Sequence, residues 1–206
     1  MNTDMHGGKT MAGDTEQGVG RRGSRWRIAA WAAAVALILL LPLVAMQFTD
    51  EVNWGLADFV VAGALLFGAG LTYELVARTR ANIAYRAAVG VAVAAALILV
   101  WGNLAVGLIG TEDNPANLMY IGVLAVGIIG AIIARFQPHG MARALFATAL
   151  AQALVAVIAL IAGMQHHRGS SVAEILMLTG FFAALWLISA WLFRKAARGG
   201  AERGAV

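Results

Sequence analysis

A chain of 206 residues with 61 % hydrophobic and 13 % charged side chains is too poor in charge for an ordinary water-soluble domain, where roughly a quarter are charged. Its net charge of +4 needs no nucleic-acid partner, because the placement of its basic residues accounts for it. With no cysteine, disulfides and thiolate chemistry are excluded.

Residues 1–24 are polar, rich in Gly and Thr and without periodicity, which predicts a disordered segment. Residues 25–195 hold six apolar runs, about 28–47, 58–77, 87–109, 117–135, 144–163 and 175–193. Each has about the ~20 residues a helix needs to cross ~30 Å of hydrocarbon. None alternates as a membrane β-strand does, and backbone in lipid must satisfy its own hydrogen bonds. The fold expected is all-α, a polytopic bundle of six transmembrane helices, with 196–206 as a flexible basic tail.

The first run follows Arg21, Arg22, Arg25 and Arg27, as a signal peptide would. It is longer than a usual h-region, and Leu43 stands where a cleavage site before Ala45 needs a small side chain, so it reads as a retained span. Pro42 should free the carbonyl of Ile38 and bend its outer part. Trp26, Trp54 and Trp191 fall where an interfacial aromatic belt would lie.

Asp58 is a candidate cap for the second run. Glu74, the carboxylate inside that run, has Arg78 four residues on, the favourable order for a helix ion pair. It reads as an interfacial pair or, with Tyr73, as a proton or cation site. Asn103 in the third run and Gln152 in the fifth are the other in-membrane polar candidates. They would either hydrogen-bond between helices or line a polar cavity. Asn114–Pro115 should start the fourth run, and Ser171 with Glu174 forms a capping box for the sixth.

Small residues recur at four-residue spacing: Ala64/Gly68, Gly90/Ala94, Gly127/Ala131, Gly130/Ala134, Ala147/Ala151 and Ala159/Gly163. Such faces let membrane helices approach closely. Gly127, Gly130 and Ala134 form the candidate helix-packing face, within the chain or toward a partner.

Lys9, Arg21, Arg22, Arg25, Arg27, Arg78, Arg80, Arg86, Arg135, Arg143, Arg194, Lys195, Arg198 and Arg203 all fall on one side of the runs, and Arg168 alone on the other. The positive-inside rule then places both termini in the cytoplasm. The opposite face carries Asp50, Glu51, Asp58, Glu112, Asp113 and Glu174 with His166 and His167, a field that would draw cations. Charge asymmetry produces that face by default, so neither metal nor cofactor is assigned. No P-loop, dinucleotide fingerprint, HExxH or GxSxG pattern occurs, and the chain is not expected to be an enzyme. An outer-surface activity at Glu112, Asp113 or His166 ranks last.

The segments QFTDEVNW (47–54), ADFVVAGALLFGAGLTYEL (57–75), GTEDNPANLMYIGVLAVGIIGAIIARF (110–136) and MARALFATALAQALVAVIALIAG (141–163) resemble a group of small, uncharacterised bacterial multi-pass inner-membrane proteins. The resemblance implies that location and helix layout, and supplies no catalytic or binding residue. Two functions remain open. One is a small transport or permeation protein for a cation, proton or small solute, with Glu74, Asn103 and Gln152 as its polar groups. The other is a scaffold or accessory subunit that binds partner helices or further copies through Gly127, Gly130 and Ala134. The lipid bilayer is the partner common to both.

Overall fold

The computed structural model describes residues 11–48, 54–77, 82–105, 107–110, 114–164 and 171–201. Among the described residues the chain is helical, without strands. Helix α1 spans Met11–Ala45, α2 Leu56–Ala77 and α3 Ile83–Ala105; a 3₁₀ turn, Pro115–Leu118, leads into α4 at Met119–Ile133; α5 spans Pro138–Ile161 and α6 Val172–Ala201. Five elements are long and apolar enough to cross a membrane: α2, α3, the 3₁₀ turn with α4, α5 and α6. The apolar part of α1, Ala29–Ala45, is shorter, reaching about 26 Å at 1.5 Å per residue against ~30 Å of hydrocarbon.

Helix ends follow from local chemistry. Asn114 accepts from Ala116 N at 3.0 Å and Pro115 takes the first position of the turn before α4, as expected. Ser171 Oγ accepts from Glu174 N at 3.1 Å, giving the serine half of the capping box. Asp58 lies inside the first turn of α2, not ahead of it, and its carboxylate accepts from Gly55 N at 2.8 Å.

Other boundaries differ from expectation. Helix α3 starts at Ile83, not near 87, because Asn82 Oδ1 accepts from Ala84 N and Tyr85 N at 2.9 and 3.3 Å. It ends before Gly107, whose φ of 72° is left-handed backbone that glycine adopts without penalty. Helix α5 starts at Pro138, so Arg143, expected in a loop, lies on a helical turn. Residues 11–24, expected to be disordered, continue α1 toward its N-terminus, and 196–201, assigned to the tail, continue α6. Extending a helix already formed needs no new nucleus, so composition alone is a poor guide to such ends. Residues 1–10 and 202–206, from the same expectations, lie outside the described residues.

The chain divides into two compact units at Gly68, within α2. In the first, a Cβ on Gly63 would stand 3.5 Å from Leu39 Cδ1. In the second, α5 packs on both α4 and α6, and α6 packs on α3. The buried residues of α5 include Met141, Leu145, Thr148, Gln152, Val155 and Ala159. Those of α6 include Ile175, Thr179, Phe182, Trp186, Ser189, Phe193 and Ala196. Both rows step alternately by three and four, the period of knobs-into-holes packing.

Between α4 and α5 the contact is closer. A Cβ on Gly130 would lie 2.7 Å from Ala144 Cβ, one on Gly127 3.2 Å from Thr148 Oγ1, and one on Gly140 2.7 Å from Ala134 Cβ. The turn joining them holds Arg135 and Phe136 at φ 49° and 55°, left-handed backbone that costs roughly 1–2 kcal/mol per non-glycine residue. Phe136 N reaches Ala131 O at 3.2 Å, and the buried Tyr85 hydroxyl donates to Phe136 O at 2.9 Å. Tyr85 also meets Phe193 edge-to-face at 5.1 Å.

Gly130→Ala should therefore lower stability by about 1–3 kcal/mol through overpacking. Gly122→Ala in the same helix, where nothing lies within 4 Å, should hold or raise it, because alanine is the better helix former. Thermal unfolding of both in one detergent checks the pair of signs.

Candidate functional site

The three in-membrane polar residues occupy three depths. At 1.5 Å per residue, Glu74 lies about 5 Å from the Ala77 end of α2 and Asn103 about 3 Å from the Ala105 end of α3. Gln152 lies about 14 Å from the Ile161 end of α5 and about 21 Å from its Pro138 end. Rather than one constellation, they are three separate situations.

Glu74 is half-buried beside Tyr73, whose ring lies against Gly90 at 3.5 Å from where a Cβ would stand. Its expected partner Arg78 lies outside the described residues, as do Asp50, Glu51, Glu112, Asp113, His166, His167 and Arg168. Among the described residues no three His, Cys, Asp or Glu side chains gather as a metal site would require.

Asn103 has a structural task. Its Nδ2 donates to Asn117 O at 3.0 Å, and Asn117 Oδ1 accepts from Leu108 N and Ile109 N at 3.0 and 2.9 Å. Leu108, Ile109 and Asn117 are all buried, so these bonds satisfy amides that no helix serves. The same connection needs glycine at 110, with φ 74° and Asn114 Nδ2 at 2.9 Å from a would-be Cβ. Nothing in the sequence singled out Asn117; its signal was a second asparagine three positions after the cap.

Gln152 is fully buried, and neither its Oε1 nor its Nε2 has a hydrogen-bond partner among the described residues. On α6, the antiparallel neighbour, Thr179 Oγ1 and Trp186 Nε1 are also buried and without a partner there. Thr179 lies about 10 Å and Trp186 about 21 Å from the Val172 end, bracketing the depth of Gln152. Thr148, one turn from Gln152, is satisfied by Ala144 O at 2.9 Å, and Ser189 by Ala88 O at 2.7 Å. At the middle depths of α5 and α6 a full amide, a hydroxyl and an indole N–H are thus buried without a hydrogen-bond partner among the described residues.

The candidate packing face is occupied from within. Gly127, Gly130 and Ala134 lie against Thr148, Ala144 and Gly140 of α5. Among the other small-residue pairs, Ala64, Ala94 and Ala147 point outward, so four-residue spacing alone does not identify a contact.

No family model, curated protein or solved structure matches this chain.

Asn117→Ala removes the acceptor of two buried amides. Each such loss costs about 1–3 kcal/mol, so a thermal melt should show a destabilisation well beyond that of Asn103→Ala, which removes one donor.

Proposed function

We propose that this protein is a bacterial inner-membrane transport or permeation protein, a six-span bundle with Ala29–Ala45 as its first span and both termini cytoplasmic. It passes a proton, cation or small polar solute through the polar band around Gln152, without a cofactor and without catalysis. The observation that supports this reading is the fully buried Gln152 amide with no protein partner among the described residues. A glutamine used only to join helices would bond to a neighbouring helix, whereas an unmet amide costs several kcal/mol in an apolar medium. A passing solute or water chain supplies the missing bonds.

The scaffold reading has less support, because its expected contact face is filled by α5 and a partner helix would need another surface. The orientation rests on the distribution of Lys and Arg. Since the chain has no cysteine, single cysteines report topology cleanly. On intact cells a membrane-impermeant maleimide should label Gly169→Cys and not Ala205→Cys; the reverse pattern overturns the orientation.

Gln152→Leu tests the activity. Replacing an unpaired amide by an apolar side chain of similar size is neutral or stabilising, so the melting temperature should hold or rise. In proteoliposomes, flux of protons, K⁺ or urea above that of empty liposomes should fall at least tenfold. Unchanged flux in the variant, or no flux of any of the three probes through the wild type, rejects the proposal.

A further inference from the structure

At the end of the second unit where α5 begins and α6 finishes, a cavity of about 500 Å³ is lined by His139, Arg143, Arg194, Ala197 and Arg198. His139 and Arg143 stand one turn apart on α5, and Arg194 and Arg198 one turn apart on α6. Among the described residues that line it none is a carboxylate. The four polar side chains are exposed at its mouth.

Ordinary helix-end chemistry explains only half of this arrangement. Cations suit the C-terminal turns of α6, where the helix dipole is negative. At the N-terminal end of α5 the dipole is positive, and Arg143, in the second turn, gains nothing from it. There α5 has no acidic residue in its first turn and no side-chain cap on its first amides. Like charges one turn apart on a helix also repel. Lys195, next to Arg194, behaves differently: its Nζ lies 5.6 Å over the ring of Trp191, away from the cavity lining. The frame beneath is firm, since Tyr85 ties Phe136 to Phe193 and Asn82 Nδ2 donates to Ala196 O at 3.3 Å.

Depth narrows the ligand. Measured from the outer ends of α5 and α6 at 1.5 Å per residue, Arg143 lies about 27 Å, Arg194 about 33 Å and Arg198 about 39 Å along. Trp191, an exposed aromatic at about 28 Å, marks the interface. With ~30 Å of hydrocarbon, the cavity opens at headgroup level. Arginine forks match phosphate oxygens.

We propose that this cavity binds a phosphate group at the membrane surface, held by Arg143, Arg194 and Arg198 with His139. An anionic phospholipid headgroup and a soluble phosphate ligand share this chemistry. The site is independent of the Gln152 reading.

The test compares the full-length wild type with R143Q/R194Q/R198Q and with the charge-matched control R86Q/K195Q/R203Q, after thermal melts show that all three fold. Native mass spectrometry follows retention of phosphatidylglycerol against phosphatidylcholine, and calorimetry follows inorganic phosphate. The wild type should prefer phosphatidylglycerol at least tenfold, with the preference lost in the cavity variant and within twofold in the control; this assigns a lipid headgroup. Phosphate binding that disappears only in the cavity variant assigns a soluble ligand. Equal loss in both variants, or no preference and no phosphate binding in the wild type, overturns the proposal.

Discussion

The approach of α4 to α5 is set by contact between small residues, with Gly130 against Ala144 and Gly140 against Ala134 close enough that one added methyl would collide. In lipid no hydrophobic force selects one helix neighbour over another, so van der Waals contact at short range must do it. Helix α5 packs on both α4 and α6, and Gln152 is fully buried on it. Its seclusion depends on α5 being held on both sides.

Much of this architecture was legible in the chain. Of the six runs that apolar length predicts, five are helices long and apolar enough to cross a membrane, and Asn114–Pro115 and Ser171 mark helix starts that the structure bears out. The helix ends near the arginines were harder to read. Hydropathy falls at a charged residue, so Arg86, Arg143 and Arg194 pushed the expected boundaries inward, while backbone hydrogen bonding carries the helices through them. In the sequence those arginines mark orientation; placed on helical turns they become positioned groups.

The candidate polar residues separated for a reason that sequence hides. Asn103 and Gln152 are both amides within apolar runs. Only the partner distinguishes them: Asn103 donates to the Asn117 carbonyl near the end of α3, whereas neither end of the Gln152 amide has a partner among the described residues. The same limit applied to small residues. Gly130 packs against a neighbouring helix and Ala147 faces outward, although both satisfy the same spacing rule.

The Tyr85–Phe136 bond links residues that are synthesised at different times. In chain order α3 precedes the turn between α4 and α5, so the hydroxyl that donates to the left-handed turn exists before the turn does. Arg135 and Phe136 take a backbone shape that they disfavour alone, and a bond from an earlier helix offsets part of that cost. The α4–α5 hairpin is in this sense templated, its closing geometry supported by an earlier helix instead of by glycine in the turn.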